Sequence, residues 1–218
     1  MRFPFARYGL RELLLAGAIL ALATMAVLWV CPPLAIIPFA LLGLVVWFFR
    51  DPERAVPEGE EKLLAPADGR VVEICEVEEP RFLGGKALKI GIFLSIFDVH
   101  LNRAPCRGRV AFLEYKPGRF RNALRPVAAS VNESNSVGIT ADNGRLGKVL
   151  VKQIAGAIAR RIVCECRVND ALESGQRFGM IKLGSRTELY VSAAVKVRLQ
   201  VRVGDKVLAG QSILGVVE

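Results

Sequence analysis

The sequence is poor in the residues that carry much of enzyme chemistry. It holds a single histidine, His100, among 218 residues. Its five cysteines include one close pair, Cys164 and Cys166, but with one histidine and no second close pair a zinc site is not indicated, and we expect no metal. The chain also lacks a Walker loop, a dinucleotide-binding glycine motif and an HExxH motif. These absences disfavour the common nucleotide-, dinucleotide- and zinc-dependent classes.

A second absence divides the chain in two. Between Leu13 and Phe49 there is no Asp, Glu, Lys or Arg over 37 residues, although the protein carries a net charge of +9. Residues 50–218 hold 27 of the 30 basic and 20 of the 21 acidic side chains. This segregation excludes a wholly soluble protein, a disordered chain and a transporter with spans throughout. It predicts a membrane anchor over residues 1–50 and a globular domain over residues 51–218, large enough for its own core.

Cys31-Pro32-Pro33 interrupts the uncharged run. Because proline does not continue a helix cleanly, we expect two helices, Leu13–Val30 and Leu34–Phe49, joined by a turn. Arginines flank the outer ends and none lies in the turn, which favours a hairpin in the cell membrane with the globular domain on the cytoplasmic side. A shallow re-entrant or monotopic anchor is an alternative. A cleaved signal peptide is disfavoured because a second apolar segment follows the first.

The remainder of the chain predicts a mainly β domain. Its short segments rich in Val, Ile and Leu are bounded by Gly, Pro, Asp or Asn, as is typical of strands. The expected strands are Val71–Val77, Ala87–Phe97, Arg109–Tyr115, Leu146–Ile154, Glu188–Val191, Val195–Val203 and Gln211–Val217. Residues 158–163 could extend a short helix that begins near Gly156.

Two segments of this domain look alike. Leu63–Val72 reads as two strands around an Asp68-Gly69 turn, and Val201–Gly215 carries similar Gly-Asp and Ala-Gly turns. Together they resemble the two halves of a barrel-sandwich hybrid, the fold of lipoyl and biotinyl carriers. The Met-Lys hairpin of a carrier is absent. A non-enzymatic, membrane-anchored carrier or adaptor module is nevertheless the alternative to an enzyme.

The lone histidine, His100, has a carboxylate close to it in the sequence. His100 follows Asp98 by two residues at the end of an apolar segment, so on a strand both side chains would face the same side. A carboxylate beside an imidazole fixes its tautomer and raises its basicity, as a general base requires. The alternative is a structural strand end in which Asp98 pairs with Arg103.

A second candidate is the pair Gly184-Ser185, which stands between two apolar segments. Alone it is a common turn, and no Gly-x-Ser-x-Gly elbow surrounds it. It is, however, the last of an ordered set of motifs. The motifs are Phe49-Arg-Asp-Pro-Glu-Arg54, Ala65-Pro-Ala-Asp-Gly69, Leu94-Ser-x-x-Asp-x-His-x-Asn-Arg-Ala-Pro105, Asn132-Glu133, Gln153-Ile-Ala-Gly156 and Phe178-Gly-Met-Ile-x-x-Gly-Ser-Arg186.

This ordered set resembles the short, prokaryotic type of phosphatidylserine decarboxylase. A related enzyme that acts on archaetidylserine, the ether-lipid analogue, has the same layout. The resemblance implies an inactive proenzyme in which Ser185 attacks the carbonyl of Gly184. β-Elimination would then leave a β chain, 1–184, and an α chain, 185–218. Residue 185 would become a pyruvoyl group, a covalent cofactor that forms a Schiff base with the substrate and accepts electrons as CO2 leaves.

The resemblance also implies roles for other residues. Asp98 and His100 would supply the base for self-cleavage, and His100 the proton that quenches the carbanion. How these roles divide among Asp98, His100 and Glu133 stays open.

The implied substrate is an anionic serine phospholipid in a membrane, converted to phosphatidylethanolamine and CO2. The candidate headgroup contacts are Asn132, Glu133 and the basic side chains Lys116, Arg119, Arg121 and Arg125; the alternative for the basic stretch is a solvated loop. The β and α chains would stay partners, and a homo-oligomer is left open. Nucleic acid is disfavoured because aromatic residues make up 7% of the chain and do not alternate with the basic stretches.

Overall fold

A computed structural model describes residues 5–124, 128–157, 161–182 and 184–218. Contacts along the chain divide it into two compact units, Met1–Glu53 and Arg54–Glu218. The first unit is helical, and nearly all the regular secondary structure described in the second unit is β-strand.

The first unit is an apolar helical hairpin. Helix α1 spans Leu10–Val30, a 3₁₀ turn covers Pro32–Ala35, and helix α2 spans Ile36–Phe48 and contacts α1. The turn falls at the prolines, and no side chain of α1 is buried, as suits a helix surrounded by lipid. The predicted apolar hairpin is therefore confirmed.

The two helices differ in reach. Within the described ranges, the helical stretch Arg7–Val30 is the one long and apolar enough to cross a membrane, whereas Pro32–Phe48 is shorter. At about 1.5 Å per residue, α2 reaches only part of a hydrocarbon core of about 30 Å. The number of crossings stays a prediction.

Among its described residues, the second unit contains fourteen strands and one short helix, α3 (Ala128–Val131). The strands are β1 Lys62–Leu64, β2 Gly69–Glu79, β3 Gly85–Leu94, β4 Leu101–Arg103, β5 Gly108–Lys116, β6 Ser134–Ala141, β7 Lys148–Ile154, β8 Ile162–Cys164, β9 Ala171–Leu172, β10 Arg177–Ile181, β11 Ser185–Ser192, β12 Val197–Leu199, β13 Lys206–Val207 and β14 Ile213–Val217.

Eight strands form one antiparallel sheet in the order β13-β2-β3-β11-β7-β6-β5-β9. Two three-stranded sheets accompany it, β1-β14-β12 and β4-β10-β8. The main core lies against the large sheet and is built from alternate apolar side chains of its strands. They include Ile90, Ile92 and Leu94 of β3, Val149 and Val151 of β7, and Leu189 and Val191 of β11.

The two look-alike segments pair with each other. Strand β1 pairs with β14, and the start of β2 pairs with β13, so that Arg70 lies opposite Lys206. Each segment thus supplies one strand to each of two antiparallel pairs. The prediction of a mainly β, barrel-sandwich-like domain that follows an apolar hairpin in the sequence is confirmed.

Three expectations about local structure are wrong. The strand expected over Val195–Val203 is formed only over Val197–Leu199, because a turn closed by the Val195 N–H and the Ser192 carbonyl precedes it. The strand expected over Ala87–Phe97 ends at Leu94, because Ser95 and Asp98 close a hydrogen-bonded turn. The helix considered over residues 158–163 is contradicted at its end, where Ile162–Cys164 is a strand paired with β10. Residues 158–160 lie outside the described residues.

Two strands of the large sheet, β6 and the two-residue β9, lie outside the expected strands. Strand β6 begins with Ser134, Asn135 and Ser136, which are polar but are buried between β5 and β7. The strand cannot be predicted from the apolar pattern because its first side chains are polar. Sequence patterns record hydrophobicity and not whether a polar group has a hydrogen-bond partner.

A buried ion pair joins the turns of the two look-alike segments. The guanidinium of Arg54 meets the Asp68 carboxylate through two contacts of 2.5 and 2.6 Å. Arg54 also donates to the Ala209 carbonyl, and the Ala209 N–H donates to Asp68, both at 2.8 Å. The side chains of Arg54 and Asp68 are only 6% and 4% exposed. Buried charges are tolerated when the two groups form a bidentate pair and their other hydrogen-bonding atoms also have partners.

We predict that Arg54→Met lowers the free energy of unfolding by about 3–5 kcal/mol, because the Asp68 carboxylate stays buried without its partner. The measurement is denaturant unfolding of the full chain in detergent. The matched control is Arg198→Met, since Arg198 and Glu218 lie 3.8 Å apart with both side chains more than half exposed. Arg198→Met should lower the free energy of unfolding by at most about 1 kcal/mol. Equal losses in the two variants would contradict the role of the pair.

Candidate active site

The fold brings His100 to the Gly184-Ser185 pair. His100 directly precedes β4, and Ser185 opens β11. Strand β10 pairs with β4, and the Ile181 N–H donates to the His100 carbonyl at 3.1 Å, so the chain leaving β10 passes the imidazole. The Gly184 N–H then donates to His100 Nε2 at 3.3 Å.

The two ring nitrogens of His100 have different partners. Nδ1 lies 2.9 Å from the backbone carbonyl oxygen of Asp98. Because a carbonyl oxygen only accepts, the neutral imidazole carries its proton on Nδ1 and keeps a lone pair on Nε2, where the Gly184 N–H points. The ring is fully buried. This tautomer can accept a proton at Nε2, as a general base must.

The carboxylate of Asp98 has a different position from the one expected. Asp98 lies in a turn and not on a strand, and its Oδ2 accepts from Ser95 N at 2.8 Å and from Ser95 Oγ at 2.7 Å. The expectation that a strand would align the side chains of Asp98 and His100 is therefore wrong. The backbone carbonyl of Asp98 orients the imidazole, and its side chain closes the turn that presents that carbonyl. Arg103, the other partner considered for Asp98, donates to the Gly175 carbonyl at 3.2 Å.

Ser185 carries a buried hydroxyl without a hydrogen bond. Its Oγ has no partner among the residues that the structure describes, and the residue is fully buried. A buried hydroxyl without a hydrogen bond lowers the stability of the fold, and in native proteins such a group often has a functional role. The preceding residue, Gly184, has φ +59°, a left-handed conformation that glycine adopts without strain. A free hydroxyl therefore stands next to an unusual turn.

Gly156 makes room for the carbonyl of that turn. A Cβ placed on Gly156 would lie 1.6 Å from the Gly184 carbonyl oxygen, so any side chain there would displace it. The same point lies 3.5 Å from the Ala123 Cβ. The motif Gln153-Ile-Ala-Gly156 does not reveal this contact, which appears only in the folded chain.

A buried chain of amides connects the strands around the site. The side chain of Asn102 donates to Thr187 Oγ1 at 3.0 Å and accepts from Gln153 Nε2 at 2.9 Å. Asn135 Nδ2 in turn donates to Gln153 Oε1 at 2.9 Å. These side chains come from β4, β11, β7 and β6. The network therefore fixes the strand that follows His100 relative to the strand that begins at Ser185. The one signal of this network in the sequence is the presence of polar residues within apolar strands.

Charged side chains anchor the opposite face of β11. Arg186 is buried; its Nε donates to Glu188 at 2.8 Å, and its Nη2 bonds the carboxylate of Glu73. Lys89 lies 3.0 Å from Glu73, and the Tyr190 hydroxyl donates to Glu188 at 2.5 Å. Burial raises the pKa of the Glu73 carboxyl, but the bonds from Lys89 and Arg186 outweigh it and hold that pKa below its usual value. Burial and the Glu188 carboxylate raise the pKa of Tyr190.

The side chain of Asn132, a candidate substrate contact, bonds the backbone. Its Nδ2 donates to the carbonyls of Arg121 and Ala155, both at 2.7 Å, and its Oδ1 accepts from Arg121 N at 2.9 Å. Its neighbour Glu133 is buried as well. Desolvation and the nearby, hydrogen-bonded Glu133 carboxylate raise the pKa of Tyr115.

The basic side chains of Lys116, Arg119 and Arg121 are exposed. Their loop reaches the site through Ala123, which approaches Gly156, while Arg125 lies outside the described residues. Substrate contacts by Asn132, Glu133, Arg119 and Arg121 stay a prediction. Over the described ranges, no group of three or more His, Cys, Asp or Glu side chains is placed to hold a metal ion.

Comparison with known proteins identifies the family. A family model described as phosphatidylserine decarboxylase matches residues 41–215. A phosphatidylserine decarboxylase proenzyme of Symbiobacterium thermophilum is 48% identical over 91% of this chain and 90% of its own. Proteins of the same name from Rhodopirellula baltica and Carboxydothermus hydrogenoformans are 45% and 42% identical, over 96% and 99% of this chain and 87% and 98% of their own. The chain belongs to the phosphatidylserine decarboxylase family of carboxy-lyases.

Proposed function

We propose that this protein is a proenzyme that cuts itself between Gly184 and Ser185 and then decarboxylates phosphatidylserine to phosphatidylethanolamine. The observation that carries the proposal is the buried Ser185 hydroxyl, which has no partner in the described part of the chain. It lies beside Gly184, whose N–H points at His100 Nε2. The names of the relatives, which are decarboxylase proenzymes, support both parts.

In the first step, Ser185 Oγ bonds to the Gly184 carbonyl carbon as the peptide bond to the Ser185 nitrogen breaks. His100 Nε2 takes the hydroxyl proton and passes it to the nitrogen, which leaves as an amine. Loss of the Ser185 α-proton then breaks the Cβ–O bond and frees a carboxylate at Gly184. Water replaces the nitrogen of the remaining dehydroalanine, and ammonia leaves. The left-handed turn at Gly184 and the missing hydroxyl partner suit an attack on the neighbouring carbonyl.

The site fits a pyruvoyl group at position 185. Conversion would remove the Ser185 hydroxyl, which has no hydrogen bond among the described residues, and the group would stay attached to β11. When formed, its carbonyl would take up the substrate amine and draw electrons as CO2 leaves. His100, the chain's one imidazole, would hold the proton that returns to the substrate carbon. We assign Asp98 the task of orienting that imidazole through its backbone carbonyl.

The proposed α chain, 185–218, has the contacts needed to stay bound after the cut. Strand β11 pairs with β3 on one edge and β7 on the other, and β14 pairs with β1. The ion pair between Arg186 and Glu73 adds a link across the break. We further propose that residues 1–50 anchor the enzyme in the cell membrane with its catalytic unit on the cytoplasmic side. The length and composition of α1 and the flanking arginines support this.

Intact mass and denaturing electrophoresis test the cut. The purified protein should give two chains, 1–184 and 185–218, the smaller one blocked to N-terminal sequencing. Ser185→Ala should stay whole and release no CO2, whereas Ser192→Ala, at the other end of the same strand, should be cut and active. An active chain that stays whole would overturn the proposal. Assays with phosphatidylserine and archaetidylserine in parallel would identify the lipid.

Loss of the imidazole should slow self-cleavage. We expect His100→Ala to reduce its rate by about 10²–10⁴-fold, the usual contribution of a positioned acid–base group. The rate is measured as conversion of newly translated precursor into two chains. Asp98→Asn serves as the comparison, since it keeps the backbone carbonyl that bonds Nδ1. A precursor with His100→Ala that is cut at the normal rate would contradict the assignment.

The space beside Gly156 should also control self-cleavage. In Gly156→Ala the methyl group displaces the Gly184 carbonyl, and a displacement of about 1 Å can cost about 10²-fold in rate. The matched control is Gly85→Ala, because a Cβ at Gly85 has no heavy atom within 4 Å. The control should be cut normally. Normal cutting of both variants would show that the position of this carbonyl is not critical.

A further inference from the structure

We propose that two loops of the catalytic unit, residues 95–99 and 116–124, form a lipid-facing rim that enters the headgroup region of an anionic bilayer beside Ser185. The rim is defined by four apolar side chains, Ile96, Phe97, Phe120 and Leu124, and three basic ones, Lys116, Arg119 and Arg121. The inference rests on the proposed function and adds how the lipid reaches the site.

Exposed apolar side chains gather on these loops. In the described part of the catalytic unit, eight large apolar side chains are exposed: Ile96, Phe97, Tyr115, Phe120, Leu124, Val168, Val203 and Leu208. Five of the eight lie on the two loops or at the adjoining end of β5, and the other three occupy separate turns. Single exposed apolar residues are ordinary on a soluble surface, but a group of them marks a contact surface.

Both loops reach the scissile turn. The first supplies the Asp98 carbonyl that bonds His100, and the imidazole bonds Gly184. The second places Ala123 next to Gly156, which contacts the Gly184 carbonyl. The rim therefore borders Gly184 and Ser185 through two separate sets of contacts.

The charge of the second loop favours an anionic surface. Residues 116–124 contain three basic and no acidic residues. The backbone of Arg121 is fixed by two hydrogen bonds with the Asn132 side chain, so the loop has a defined course. Aromatic and basic side chains together are typical of segments that lie at the interface between headgroups and acyl chains. A bilayer that contains an anionic substrate is the partner whose chemistry this combination matches.

The burial of the site makes such contact necessary. His100 and Ser185 are fully buried, whereas the acyl chains hold a phospholipid headgroup at the bilayer surface. The serine moiety can reach position 185 only if the protein around that position comes into contact with the headgroups. A rim with apolar tips achieves this without extracting the lipid into water.

Tryptophan quenching tests the contact directly. The two natural tryptophans, Trp29 and Trp47, lie in the anchor and are first replaced by phenylalanine. Phe120→Trp or Val203→Trp is then added to the full chain, which is reconstituted into phosphatidylglycerol vesicles with brominated acyl chains. Val203 is the matched control because it is 60% exposed on a turn elsewhere. We expect strong quenching for Phe120→Trp and little for Val203→Trp. Equal quenching at the two positions would overturn the proposal.

A kinetic test separates the rim from catalysis. The ratio of the decarboxylation rate in vesicles to that in detergent micelles should fall at least tenfold in Phe120→Ser/Leu124→Ser and stay unchanged in Val203→Ser/Leu208→Ser. An unchanged ratio in the rim variant would overturn the proposal. A change in the oligomeric state of that variant would also overturn it, because it would indicate that the rim contacts protein and not lipid. If the chain is not cut at Gly184-Ser185, the proposed function fails, but the quenching result still decides whether the loops contact lipid.

Discussion

The pairing of β11 on both edges is the constraint on which the rest of the catalytic unit depends. The strand begins at Ser185 and lies between β3 and β7 in the large sheet. Its side chains alternate between two tasks. Ser185 and Thr187 face the site and the amide network, whereas Arg186, Glu188 and Tyr190 make the charged cluster on the other face. A strand held in this way keeps its first residue in place whether or not the chain continues before it.

The sequence predicted the parts of the fold that depend on the distribution of apolar residues. The uncharged run predicted the hairpin, and most strands followed from Val- and Ile-rich segments. Prediction failed where polar side chains decide the backbone. Ser95 and Asp98 end a strand by bonding each other, and Ser134–Ser136 hide a buried strand. Satisfied polar groups depend on partners distant in the sequence, which a local pattern does not record.

The candidate site shows the same limit at the level of single atoms. The motifs pointed to His100, Asp98 and Ser185, and the fold brings His100 next to Gly184. The motifs did not show that Asp98 acts through its backbone carbonyl, that Gly156 faces the Gly184 carbonyl, or that Asn102 belongs to an amide chain. Several motif residues, such as Asp68 with Arg54, hold the scaffold rather than the site.

The interior position of β11 has a consequence for the lifetime of the protein. The uncut chain can fold with β11 tethered to its neighbours, so that placing the strand is an intramolecular event. After a cut at residue 185, an unfolded molecule would have to recapture a separate 34-residue chain and insert its first strand between β3 and β7. Folding would then be effectively one-way, and the mature enzyme would persist through its barrier to unfolding rather than through repeated refolding.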